Sequence, residues 1–382
     1  MDAAVKITSE LIKKKTITPE DDGAIKFLTN ILSASNFSCR EIHSGNVKNL
    51  FARWGPKNTE KTIGFNGHVD VVPPGDTTLW EVDPFSGIVK DGEIIGRGAV
   101  DMKSAVAAFT AAAVEYVNSN KPNGSIVITI TGDEEGEAIN GTKAILQWML
   151  EQDERVPHFI VGEPTSKETL GDMVKIGRRG SLTAFFSSSG TQGHTAYPHL
   201  ASNPINSINT LITSILNETL DQGSEHFEPS TLSFTTIDVD NVSNNVIPAK
   251  CEATLNIRFN DLHTSETIIA WLNKHIEKTN KKHQAHISMN VKVSGESFIN
   301  GNSPFVKMVT KEIKDTLKIS PILSTSGGTS DARFIKEFSE VLELGLVGKT
   351  MHKVNEKVKV DEIVNLKNLY KSILERYFTE EI

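Results

Sequence analysis

Cysteine is nearly absent: of 382 residues only Cys39 and Cys251 carry a thiol, and they lie far apart with no metal-ligand spacing. A disulfide framework and a thiolate metal site are excluded, and both read as ordinary buried or half-buried thiols. No apolar run approaches the roughly 20 residues needed to span a bilayer. Met1 to Lys15 carries Asp2, Glu10 and a Lys13-Lys14-Lys15 run without the continuous apolar centre of a secretory signal, so a cytoplasmic home is expected. Positive charge is not in excess either. A formal net charge of −8 argues against a nucleic-acid surface, and any acidic substrate must be captured by local arginines working against the overall field. Although Gly96, Gly98 and Asp101 faintly suggest a nucleotide loop, there is no phosphate-loop Gly-Lys-Ser/Thr and no third glycine of the dinucleotide fingerprint. Solenoid-length repeats and low-complexity tails are missing too.

What remains is a globular composition, 38% hydrophobic and 23% charged, on a chain long enough for two domains. Thr18 is expected to cap a helix reaching about Leu32, with Pro19 at its first position, and Lys13 to Lys15 to form the wet face of an earlier helix. Residues 49–54, 61–66, 125–131 and 158–163 read as strands, alternating with helices at 104–117 and 141–150. That order implies an α/β domain with a mainly parallel central sheet flanked by helices, whose sites lie at the carboxyl ends of strands. Beyond Gly177 the pattern becomes β-α-β-β-α-β: strand 181–187, helix 203–220, strands 230–238 and 250–259, helix 265–279 and strand 285–293. This is the ferredoxin-like split unit, so residues 180–294 are expected to form an α+β domain inserted into one built from 1–179 and 295–382. Helices at 304–317 and 360–378, a glycine-rich turn at 326–331 and a strand at 341–346 complete the chain.

The chemistry gathers at strand ends. Ile130-Thr131-Gly132-Asp133-Glu134-Glu135-Gly136 places three carboxylates directly after an apolar β-branched run. Neighbouring side chains at a strand end point in different directions, so one glutamate can bind a metal while the other handles a proton. Taken alone, the stretch is equally a solvated acidic turn. Its company changes that: His68 and Asp70 after one strand, Asp101 after Gly96-Arg97-Gly98, Glu163 after the apolar run 158–162, and His352 after the last strand. Asp70 would face the same side as His68 and could orient its imidazole. Two histidines with three carboxylates suit two zinc-like ions sharing one carboxylate, and the spare glutamate can carry a proton.

Gly67-His68-Val69-Asp70-Val71-Val72-Pro73, the Trp80 to Phe85 segment, Gly96 to Lys103, Gly132 to Gly136 and Gly162-Glu163-Pro164 resemble, in order and over essentially the whole chain, the dizinc metallopeptidase family. That family includes acetylornithine deacetylase, aminoacylase, glutamate carboxypeptidase and succinyl-diaminopimelate desuccinylase. The resemblance implies that Asp101 bridges two zinc ions, with cobalt possible at one site. His68 and Glu163 would complete one site, Glu135 and His352 the other, with Glu134 as general base and acid and Asp70 behind His68. It further implies that the inserted domain is a dimerisation lid and the protein a homodimer. Gly193-His194-Thr195-Ala196-Tyr197-Pro198 resembles the segment whose histidine reaches the partner subunit's active site and stabilises an oxyanion; by itself His194 reads as a plain loop histidine.

Gly177-Arg178-Arg179-Gly180-Ser181, Asn244-Asn245-Val246-Ile247-Pro248, Asn256-Ile257-Arg258-Phe259 and Gly328-Thr329-Ser330-Asp331-Ala332-Arg333-Phe334 resemble the desuccinylase branch. That branch implies hydrolysis of N-succinyl-L,L-2,6-diaminopimelate in lysine and cell-wall precursor synthesis. Arg178 and Arg258 would grip substrate carboxylates, unless they serve salt bridges at the hinge or in the lid sheet. Ser181 and Thr329 would donate hydroxyls, Tyr197 would line the site, and Asn244 and Asn245 would arrive from the partner chain. Glycines near 177–180 and at 295 could act as hinges. One departure stands out: the branch usually carries asparagine and proline where this chain has Gly348 and Leu346, which bears on substrate preference. Acetyl or peptide hydrolysis on the same centre, and a non-catalytic amino-acid or peptide binder on the same scaffold, are the competing readings.

Overall fold

The computed structural model describes residues 1–380; residues 381 and 382, which close the expected catalytic domain, lie outside the described residues. The chain forms two compact units. The first comprises Met1–Ile176, Asn300–Ser324 and the stretch from Ser330 onward, and the second Gly177–Ile299 with Thr325–Thr329.

The first unit is built on an eight-stranded sheet in the order Ser38–Ser44, Val47–Trp54, Ser125–Thr131, Thr62–His68, His158–Val161, Glu340–Glu343, Met173–Lys175 and Ile322–Ser324. Its centre is parallel: Thr62–His68 lies between Ser125–Thr131 and His158–Val161, and the latter pairs with Glu340–Glu343. Antiparallel strands enter toward the edges. The central strands are buried along their length, as β-branched runs covered on both faces should be. The alanine-rich helix Lys103–Ser119 lies close on the sheet because Gly67 leaves room; a Cβ there would sit 2.7 Å from Met102 Cε and 2.9 Å from Val106 Cγ2. Phe65 stacks on Phe109 at 4.3 Å between ring centres, and Tyr370 of the helix Val360–Thr379 meets both rings edge-on.

The N-terminal expectation needs two corrections. The first helix, Ala3–Ile12, ends before Lys13 to Lys15, and the next runs Ala24–Ser33 rather than from Thr18. Thr18 is committed elsewhere, its N–H donating to Val71 O (3.2 Å) and its hydroxyl to the Asp70 carboxylate. Pinned to the loop after the central strand, residues 18–23 are turns, and the helix starts once that tether is released.

The second unit carries a four-stranded antiparallel sheet in the order Thr231–Asp238, Lys250–Phe259, Gly180–Ser189, His286–Gly295. With helices Pro204–Leu216 and Ser265–Asn280 between strands, this is the ferredoxin-like arrangement. The alternating inward residues of the strands (Leu182, Ala184, Phe186; Leu255, Ile257, Phe259) pack on Ile208, Leu211, Ile268 and Leu272 of the helices. Among the described residues, no helix is long and apolar enough to cross a membrane.

Candidate metal centre

His68 ends the central strand, and its Nδ1 is 2.9 Å from the main-chain O of Asp70. Donation there puts the neutral ring's proton on Nδ1 and leaves Nε2 as a lone-pair donor. Nε2 lies 3.1 Å from Asp101 Oδ1 and 3.8 Å from Glu163 Oε1. On the other side, His352 Nε2 lies 3.3 Å from Asp101 Oδ2 and 2.8 Å from Glu135 Oε1. Asp101 therefore turns one oxygen toward each histidine. Donor atoms of His68, Asp101 and Glu135 fall within 4.8 Å of one another, as do those of His68, Glu134 and Glu163.

The electrostatics of this cluster are those of carboxylates crowded in low dielectric. Burial, followed by the charges of Asp101 and Glu134, holds the Glu163 carboxyl well above its usual range despite the pull of His68. Glu134 is likewise held well above, by burial and by Asp331, Glu135 and Asp101, again against His68. Burial pulls the His68 pKa down, but the hydrogen bond to Asp101 and the charges of Glu163, Asp101 and Asp70 outweigh it and leave it well raised. His352 is pushed up to about 10 by its hydrogen bonds to Asp101 and Glu135. Two imidazoles among four carboxylates, with one carboxylate facing both ways, form a nitrogen–oxygen donor set suited to divalent cations, whose charge would relieve the repulsion among the acids.

Asp70 does something other than orient the imidazole through its carboxylate. That carboxylate is 3.7 Å from His68 Nδ1, too far for a hydrogen bond. Its oxygens instead accept the peptide N–H groups of Glu134 (3.1 Å) and Glu135 (3.0 Å), together with the Thr18 hydroxyl. It thus holds the two glutamates in their diverging directions, while its main-chain carbonyl holds the ring. Asp133, left without a task by the sequence, accepts from Ile139 N (3.0 Å) and Asn140 N (2.9 Å) and closes the loop that follows.

Three buried groups beside the centre had no role from the sequence: Lys103 and Asp331, although they lie in the motifs quoted, and Glu356, not singled out at all. Glu356 is fully buried and accepts from Arg97 and from three peptide N–H groups of residues 98–101. Lys103, also fully buried, donates to Lys14 O at 2.9 Å, and desolvation brings its pKa down to about 7. Asp331 accepts from Thr142 Oγ1 (2.7 Å), and burial raises its pKa to about 6, with Asp70 adding to the rise against the charges of Arg333 and His68. The Glu356 signal was legible as an acidic residue four after His352, but its partners are long-range and nothing local announces them.

The remaining expected residues belong to the second unit. Arg178 is buried, with Nη1 donating to Gly328 O (3.0 Å) and Ser326 O (3.4 Å). Ser181 is buried and lies opposite half-buried Arg258 in the sheet register, while Arg258 Nε donates to Asn256 Oδ1 (3.1 Å). His194 and Tyr197 are exposed, and His194 Nδ1 accepts from Ala196 N at 3.0 Å, which leaves the neutral ring's proton on Nε2. Thr195 N and Oγ1 both donate to Asn245 O, so the exposed Asn244-Asn245 pair lies beside the His194 segment. Thr329 is half-buried. Back in the first unit, Leu346 is fully buried and Gly348 opens a short 3-10 turn, where a Cβ would meet Pro164 O at 3.1 Å.

Residues 64–376 match the model of peptidase family M20/M25/M40. The chain belongs to that family. Relatives named succinyl-diaminopimelate desuccinylase include one from Cereibacter sphaeroides, 49% identical and covering 98% of this chain and 99% of its own, and one from Ruegeria pomeroyi, 48% identical with the same coverage. Among solved structures, an M20 family metallo-carboxypeptidase from Sulfolobus solfataricus matches with a TM-score of 0.81 at 17% identity, covering 99% of both chains. A dinuclear metal binding peptidase of the M20 family from Bacillus subtilis matches at 0.74 and 12% identity, over 97% of this chain and 96% of its own. At those identities the family's solved structures speak for the fold, and they share it from end to end.

Proposed function

We propose that this chain hydrolyses N-succinyl-L,L-2,6-diaminopimelate to succinate and L,L-diaminopimelate, with two divalent ions, zinc at both sites or cobalt at one, held by His68, Asp101, Glu135, Glu163 and His352. The identity of nearly one half, over nearly the whole length, with relatives named for that reaction carries the choice of substrate. When bound, the ions polarise the scissile carbonyl and acidify a water molecule.

The chain's own groups do the rest. Glu134, its carboxyl held well above the usual range by burial and the neighbouring acids, takes a proton from the attacking water and delivers it to the amide nitrogen as the C–N bond breaks. The hydroxyl stays on the succinyl carbon, giving succinate, and the protonated nitrogen leaves as the amine. His194, with its proton on Nε2, suits donation to a developing oxyanion. Arg178 and Arg258 take substrate carboxylates, Ser181, Thr329 and Tyr197 add hydroxyl contacts, and Asn244 and Asn245 add amides. Dimerisation through the second unit and a cytoplasmic location complete this reading. Its test is turnover of zinc-loaded protein on the succinylated compound beside N-acetylornithine, acetylated amino acids and dipeptides. A preference of at least tenfold in kcat/KM for the succinylated substrate is expected; equal rates across the panel would remove the substrate assignment.

A further inference from the structure

Arg97 and Glu356 are 2% and 0% exposed and pair at 2.7 Å. A buried ion pair adds little to folding beyond what an apolar pair of the same shape would give, so the use of this one lies in what its atoms hold. Glu356 Oε1 accepts from Val100 N (2.8 Å) and Asp101 N (3.1 Å), and Oε2 from Gly98 N (3.1 Å) and Arg97. Arg97 Nη1 also donates to the carbonyl of Lys353 (3.3 Å) and Nη2 to those of His352 (3.3 Å) and Pro73 (3.4 Å), with the guanidinium over the Trp80 ring at 5.4 Å. His352 has a φ of 61°, a left-handed conformation uncommon for a non-glycine residue. The segment bearing Asp101 and the segment bearing His352 are tied by this pair, beside the main-chain ladder of Lys357–Lys359 on Glu93–Ile95 and the Gly96 N–H donating to Glu356 O (2.9 Å), and His352 Nε2 comes to rest 3.3 Å from Asp101 Oδ2.

We propose that Glu356 and Arg97 are positioning residues for the Asp101–Glu135–His352 side of the centre, setting the affinity of the ion on that side while leaving the His68–Glu163 side nearly unaffected. This rests on the metal-centre reading above. Glutamine at 356 keeps the shape but presents an amide N–H₂ where a carboxylate oxygen now accepts two donors. Lysine at 97 keeps the charge but loses the planar fork that reaches Glu356 and the carbonyls together.

Metal-free wild type, E356Q and R97K are titrated calorimetrically with Zn(II) and with Co(II), whose visible absorption reports ligand geometry, and circular dichroism monitors the fold. Wild type should take two ions. E356Q should keep one affinity within threefold and lose at least tenfold in the other, with an altered cobalt spectrum; R97K should show the same split at smaller size. Two ions bound as in wild type by both variants would overturn the proposal while leaving the hydrolase reading intact. So would an equal weakening of both ions that tracks a fall in Tm, since that is the mark of general destabilisation. Should E356Q fail to fold, R97K decides by the same split. Wild type that binds no second ion overturns this proposal and the two-ion centre together.

Discussion

The strand-end cluster of the first unit and the loop residues of the second expected to meet substrate, His194, Tyr197, Asn244 and Asn245, are held in opposite ways. Around His68, Asp70 and Asp101 burial is nearly complete, with backbone and side-chain partners fixing ring and carboxylates, and half-buried Glu134 is held by its peptide N–H on Asp70. His194, Tyr197, Asn244 and Asn245 are exposed and lean mainly on one another's backbone through a two-residue β-ladder. The difference teaches which geometry precedes the ligand. Desolvated, hydrogen-bonded groups are preorganised and carry perturbed pKa values before any substrate arrives. Solvated loop groups are left to be ordered by what they bind.

The strongest way to break this contrast is at Glu134. Replacing Glu134 by alanine should lower kcat by roughly 10²–10⁴-fold with both ions retained, the scale of lost general acid–base catalysis; metal analysis beside turnover checks it, and preserved activity would remove its role. Arg258→Met in the second unit should act on binding rather than chemistry, raising KM roughly tenfold or more, since charge-assisted hydrogen bonds contribute about 1.5–3 kcal/mol. Steady-state kinetics that show kcat falling instead would place Arg258 with the preorganised group. Asp133→Ala should leave the chemistry nearly unchanged and lower stability by about 2 kcal/mol, because two peptide N–H groups lose their acceptor; urea unfolding reads it directly.

The smallest effect concerns His158, a half-buried histidine of the first unit, which is hydrogen-bonded to Tyr377 Oη at 2.8 Å. Desolvation lowers its pKa to about 4. A depressed histidine contributes stability that is present above its unfolded value near 6.5 and is lost as pH falls through 4. Unfolding free energy should therefore decline over that window, and His158→Gln should flatten the decline. An unchanged profile would show that other groups carry it.

Much of the fold was legible in local pattern. The β-branched run 125–131 and the period-two strand 250–259 were both read with the boundaries the structure gives them, because each is one register of buried side chains. Thr18 was misread because its capping signature is real, yet Asp70 and Val71, more than fifty residues away, compete for the same hydroxyl and N–H. Strand alternation puts Asp70 on the His68 side, and its carboxylate lies 3.7 Å from Nδ1, but the hydrogen bond to the ring comes from its main-chain carbonyl instead. Glu356 drew no notice and Lys103, though part of the Gly96 to Lys103 motif, was given no role, since a lone charged residue looks like surface until the fold closes over it.

By itself the sequence determined the order of elements, the inserted βαββαβ unit and the carboxylates and imidazoles at strand ends, because hydrophobic period and residue chemistry are local properties. Only the tertiary structure decided which oxygen of Asp101 faces which histidine, that Asp70 holds the peptides of Glu134 and Glu135, and that Arg97 and Glu356 tie Asp101 to His352. Those are contacts between segments tens to hundreds of residues apart, set by how strands and loops pack, and no local pattern encodes them.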